Sequence, residues 1–142
     1  MIKSLVVMFS ILSTIVSAQD IVISGGAEIT VGGNQFGGAV MYETKKAWGA
    51  GPFYQAGISR HGAEKGLKNP FYGVALQAPI IISKRISFFA TVRTGLVNAK
   101  FLVIVPSLDT RIDLTPKTGF SVGAGLRSGY PSFAAKIFAK LF

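Results

Sequence analysis

The sequence predicts an all-β chain, an eight-stranded antiparallel up-and-down transmembrane β-barrel, and three observations predict it. Bulky apolar side chains alternate with small or charged ones at a period of two in segment after segment. Of the 142 residues, 49% are hydrophobic and only 15% charged, where an average soluble domain carries about 25% charged residues. Beyond Ala18 no apolar run reaches the roughly 20 residues of a spanning helix, so this hydrophobicity has no helical bundle to fill.

Residues 1–18 read as a cleaved signal peptide. Lys3 supplies a positive start, Leu5 to Val16 an apolar run, and Val16-Ser17-Ala18 the small residues of a cleavage site. The run is too short for about 30 Å of hydrocarbon, and no basic stop-transfer cluster follows it. That leaves 19–142 as one barrel domain.

The strands follow in order. Ile21 to Val31 sets Ile21, Ile23, Ala27, Ile29 and Val31 against Ser24, Gly26, Glu28 and Thr30. Gln35 to Lys45 sets Phe36, Val40 and Tyr42 against Gly37, Ala39, Met41, Glu43 and Lys45. Phe53 to His61 opposes Tyr54, Ala56 and Ile58 to Gln55, Gly57, Ser59 and His61, and Phe71 to Ile81 opposes Tyr72, Val74, Leu76 and Ala78 to Gly73, Ala75 and Gln77. Alternation is cleanest from Ile86 to Leu96 and from Gly119 to Arg127. There Phe88, Val92, Phe120 and Leu126 share the bulky faces, while Arg93 and Arg127 stand among Gly, Ser and Thr. Lys100 to Val105 is a continuous apolar run without an assignable face, and Ser132 to Phe142 closes the chain. Pro106 to Lys117 is either a long connection or a resumption of strand six around Arg111 to Leu114. Turn chemistry falls at Gly32-Gly33-Asn34, Trp48 to Gly51, Gly62 to Asn69, Ser83-Lys84, Asn98-Ala99 and Gly129-Tyr130-Pro131.

A soluble barrel would turn its bulky face inward and dress the other with many charges. Here the second face is small with isolated charges, which suits the narrow interior of a small closed barrel whose bulky face meets lipid. An even strand count fits closure.

The last strand, Phe133 to Phe142, ends an alternating amphipathic segment on phenylalanine. It resembles the terminal assembly signal of bacterial outer-membrane barrels, with Phe138 and Phe142 as the residues that carry it. With the signal peptide and the strand count, the mature chain resembles the small eight-stranded OmpA/OmpX-type barrels. That resemblance implies the Gram-negative outer membrane as location, recognition by the barrel-assembly machinery, and both chain ends in the periplasm. It departs from the family at Lys140, where an aromatic usually stands, and Lys136, Lys140 and Phe142 share parity.

The formal charge is +9, but the cations are scattered, and export excludes nucleic acid as a partner. The lipid bilayer and the phosphates of lipopolysaccharide are the expected surroundings. Inside the barrel the expected charge network is Glu28, Glu43, Lys45, Arg93, Arg127 and Lys136, paired because lone charge in a poorly hydrated lumen is costly. Such a network either lines a constricted pore or fills a barrel too narrow to conduct, and eight strands favour the filled form.

Ser59 and His61, with Glu64 beyond, hold the residue types of an acyl-transfer site. They resemble in kind the Ser and His of outer-membrane lipid A deacylases, although in the reverse order. The chain has no cysteine and His61 is its sole histidine, so no metal site and no cofactor are expected. Tyr42, Trp48, Phe53, Tyr54, Phe71, Tyr72 and Tyr130 sit near strand ends, as an interfacial aromatic girdle does. The expectation is a non-enzymatic barrel, structural or an accessory subunit of a larger envelope complex beside another outer-membrane protein. The alternatives are a lipid A-modifying acyl hydrolase and a soluble, lipocalin-like barrel with its apolar face turned inward.

Overall fold

A computed structural model of the chain describes residues 20–31, 33–59 and 66–141. The signal peptide reading of 1–18, His61, Glu64 and the terminal Phe142 lie outside the described residues. The strands are β1 (Asp20–Thr30), β2 (Gly33–Glu43), β3 (Gly49–Ser59), β4 (Gly66–Ile81), β5 (Ile86–Val97), β6 (Phe101–Asp113), β7 (Thr118–Arg127) and β8 (Tyr130–Lys140). Each pairs antiparallel with its sequence neighbour, and β8 returns to β1 from Val22↔Lys140 to Ile29↔Phe133, closing the barrel. Among the described residues there is no helix. The closed, eight-stranded, all-antiparallel architecture is the fold class read from the sequence. Closure removes the free strand edges that a sheet this apolar would otherwise offer to other chains.

The side-chain period of two fixes which residues fill the tube. Ile23, Ile29, Val74, Leu76, Phe88, Val92, Leu108, Val122, Leu126 and Ile137 all stand on the outer wall. Inside are Val22, Met41, Phe53, Phe71, Ala75, Val105 and Phe138, together with most of the buried polar residues. The inward-facing apolar arrangement of a lipocalin-like barrel is therefore overturned, since Phe88, Val92 and Leu126 are all exposed.

Strand six corrects the reading of Pro106 to Lys117 as a connection. β6 runs unbroken through Pro106 to Asp113, and only residues 114–117 turn. Proline is tolerated there because pairing of β6 with β7 begins at Ser107↔Gly125, so Phe101 to Pro106 is laddered to β5 alone. The facing follows: Val103, Val105, Ser107, Asp109, Arg111 and Asp113 point in, Leu102, Ile104 and Leu108 out. β4 likewise starts at Gly66, inside the expected break at Gly62 to Asn69. β3 begins at Gly49, ahead of the expected Phe53.

Two glycines show how tightly the wall is drawn. Gly73 and Gly95 oppose each other between β4 and β5, and a Cβ on Gly73 would overlap the backbone oxygen of Thr94 and press on Gly95 Cα. At Gly25 on the outer wall, an added Cβ finds only Gly37 O, at 3.7 Å. Gly73→Ala is accordingly expected to lower the unfolding free energy by about 1–3 kcal/mol. Gly25→Ala should stay within about 0.5 kcal/mol of the parent. Urea midpoints of the two variants, measured side by side, check the pair.

Candidate functional site in the barrel interior

Two chemically matched triads cross the lumen. In the first, Glu28 on β1 meets Arg93 on β5, on the opposite side of the ring. Arg93 Nη1 donates to Glu28 Oε2 at 2.7 Å and Nη2 to Oε1 at 3.0 Å, a two-pronged pair. Gln55, on the intervening β3, donates to Glu28 Oε2 at 2.6 Å and accepts from Arg93. In the second triad, Glu43 on β2 accepts from Arg111 Nη1 on β6 at 3.0 and 3.2 Å. Gln77 on β4 bridges it, accepting from Arg111 Nη2 at 3.2 Å and donating to Glu43 at 3.3 Å. Each triad thus takes a carboxylate, an amide and a guanidinium from alternate strands, and each staples opposite walls.

These charges are desolvated. Glu28 is 3% exposed and Arg93 6%, so most of the cost of removing them from water is met only by one another and by the glutamine amides. Aromatic faces complete the shell. The Arg93 guanidinium lies 6.0 Å from the centre of the Phe53 ring, and that of Arg111 is 4.5 Å from Phe89 and 5.1 Å from Phe138. At the end of the barrel carrying both strand termini, Lys140 Nζ meets Asp113 Oδ1 at 3.4 Å. Lys136 and Asp109 line one small cavity between the layers.

The interior cavities have volumes of about 30 and 60 Å³, room for one or a few waters. At the opposite end, the mouth widens into a vestibule of about 420 Å³ bordered by Gln35, Asn69, Val97, Phe101, Val103, Arg127 and Tyr130. Arg127 sits on its floor, 4.7 Å over the buried Phe71 ring and donating to Gln35 Oε1.

Of the residues singled out in the sequence, Glu28, Glu43, Arg93, Arg127 and Lys136 stand in the lumen. Lys45 does not. β2 ends at Glu43, and hydrogen bonds from Thr44 N to Trp48 O and from Ala47 N to Thr44 O close a turn that leaves Lys45 exposed. Phe53 and Phe71 also leave the expected girdle: both are buried inside, edge to face at 4.7 Å, because they share parity with Gln55 and Gly73. Tyr54 and Tyr72 remain outside, stacked at 6.4 Å. Ser59 ends β3, with His61 and Glu64 outside the described residues. Phe138 points inward onto Arg111.

Arg111 and Asp109 are absent from the expected network because they fall in Pro106 to Lys117, which the sequence leaves open between a connection and a resumed strand. The odd-numbered set from Val103 to Asp113 was the signal that could have found them. Gln55 and Gln77 were placed on inward faces, but neutral amides gave no cue that they would bridge the charges.

No protein-family model matches the sequence, and no curated protein matches it either. Solved structures do resemble it. A chain from "De novo design of transmembrane beta-barrels" superposes with a TM-score of 0.67 at 10% identity, covering 86% of this chain and 95% of the other. The solution structure of the de novo designed TMB2.3 gives 0.67 and 10%, with 87% and 94% coverage. At that identity the likeness concerns the fold: a closed eight-stranded antiparallel barrel of the form used in designed transmembrane barrels.

Proposed function

We propose that the chain is an integral outer-membrane β-barrel, non-enzymatic and non-conducting, that serves as a structural or accessory subunit of a larger envelope complex. The observation that carries this reading is the double staple of the lumen. Glu28–Gln55–Arg93 and Glu43–Gln77–Arg111 fill the tube and leave cavities of only about 30 and 60 Å³. A continuous water path would need those buried charges to part. The apolar outer wall supports a bilayer location, as does the likeness to designed transmembrane barrels. The terminal strand and the signal-like first segment support the outer membrane, the barrel-assembly machinery and an OmpA/OmpX-type class.

At the end of the barrel opposite Asp20 and Lys140, the turns at residues 98–100 and 128–129 are short and offer little surface for adhesion, so contact through the wall is the natural way to meet a partner. Two experiments test the reading. Purified protein in a planar bilayer is expected to show no discrete conductance steps, and reproducible openings would overturn the non-conducting part. Extraction in mild detergent is expected to bring down another outer-membrane protein in fixed ratio, whereas a consistently lone monomer would overturn the accessory role.

A further inference from the structure

We propose that the vestibule is a binding site for an amphiphilic monocarboxylate, with Arg127 as the residue that takes the carboxylate and the β6 wall as the seat of the apolar body. This goes beyond the accessory role above and does not depend on it.

The charge arrangement inside the barrel comes first. Arg93 is matched by Glu28, Arg111 by Glu43 and Lys140 by Asp113. Lys136 shares its cavity with Asp109. Among the described residues Arg127 forms no ion pair, and Glu28, the carboxylate whose charge reaches it, is already held by both prongs of Arg93. Its guanidinium is held by the Phe71 face and by Gln35, which itself donates to Asn69 O at 3.4 Å. Its Nη1 is thus used by Gln35 and the position fixed, while Arg127 itself borders the vestibule. A guanidinium fixed in this way is suited to bidentate capture of a carboxylate.

The vestibule is large enough for a ligand, and its lining is mixed, with Thr30, Gln35, Asn69 and Ser128 beside an apolar side. Its volume of about 420 Å³ falls within the roughly 300–1,000 Å³ of small-molecule sites. Val97, Phe101, Val103, Tyr130 and Pro131 form that apolar side. It also opens sideways. The ladder between β6 and β7 begins only at Ser107↔Gly125, and β7 and β8 end at Arg127↔Tyr130, so Phe101 to Pro106 stands without a strand partner on that flank. Phe101, Leu102 and Ile104 are 65%, 70% and 59% exposed along it. A ligand with a charged head and an apolar tail can therefore hold its head at Arg127 and pass its tail over an apolar flank. The available charge selects a monoanion, since one guanidinium leaves the second charge of a phosphate dianion uncompensated.

Decanoate, decanol and inorganic phosphate, titrated into the folded protein in zwitterionic micelles, provide the test. Binding is read by amide chemical shifts at Asn69, Ser128 and Tyr130 and by the Arg127 side-chain N–H. Decanoate is expected to saturate at one equivalent and to shift all of these. Decanol is expected to bind at least tenfold more weakly, and phosphate not to saturate. Arg127→Gln should weaken decanoate at least tenfold, and Arg127→Lys should retain part of the affinity, as charge survives without the fork. Equal binding of decanoate and decanol would overturn the proposal, as would saturation by phosphate alone or decanoate affinity untouched in Arg127→Gln. Should Arg127→Gln fail to fold, the Arg127 side-chain N–H of the parent protein decides, and its indifference to decanoate would overturn the proposal equally.

Discussion

Arg93→Ala is expected to lower the unfolding free energy by about 3–5 kcal/mol, close to the limit of what one substitution does in a small domain. The loss comes from what remains. Glu28, 3% exposed, would keep its charge in the centre of the lumen with the neutral groups of Gln55 and Ser132 against it and no ion pair. Arg93 lines the cavities of about 30 and 60 Å³, so its truncation joins them and admits water, but water brings no charge to replace the guanidinium. The pair as a whole contributes far less than this figure suggests, because burying both charges was itself costly. Replacing both partners at once, Glu28→Leu with Arg93→Met, should therefore recover most of the loss. Because Trp48, the one tryptophan, is already exposed in the turn after β2, unfolding is read from loss of the β-sheet signal in far-UV circular dichroism. Urea titrations of parent, both single variants and the double form the cycle. A double variant as unstable as Arg93→Ala would show that the charges do more than compensate each other.

Whether such a network could have been read in advance differs from strand to strand. β5 and β7 were legible because their two faces differ in kind: Phe88 and Val92 against Arg93, Phe120 and Leu126 against glycine and Arg127. A period of two is then visible without any partner. β6 hid its period because its first half is apolar on both faces, Leu102 and Ile104 outside and Val103 and Val105 inside. Pro106 looked like an end where it is a proline on an unpartnered flank. The aromatics misled in a similar way. Phe53 and Phe71 have girdle chemistry, but parity sends them inside, where Phe71 supports Arg127. Parity was the better guide than residue type.

The triads themselves were beyond a linear reading. Glu28 and Arg93 are 65 positions apart and Glu43 and Arg111 are 68 apart. Which carboxylate meets which guanidinium depends on ring closure and stagger, since β1 faces β5 and β2 faces β6 only once β8 has joined β1. Sequence could say which residues point inward. It could not say at what height each one stands in the tube.

One position away from Arg93, the same side chain should have the opposite consequence. Val92 lies mid-way along β5, on the outer wall, between Leu76 and Pro106. In vesicles, Val92→Arg is expected to cost about 2–4 kcal/mol, the penalty for a cation facing the middle of the hydrocarbon. Ile86→Arg, at the first residue of β5 beside the exposed Lys84 and Arg85, should cost only about 0–1 kcal/mol, because its head reaches the interface. The gradient matters more than either figure. On a wall that meets water, an outward Val→Arg change breaks no packing and stays within about 0.5 kcal/mol at both depths. Equal, small effects at Val92 and Ile86 would therefore remove the bilayer from the account. A steep difference between them would tie the bulky face of β5 to acyl chains by a measurement independent of fold likeness.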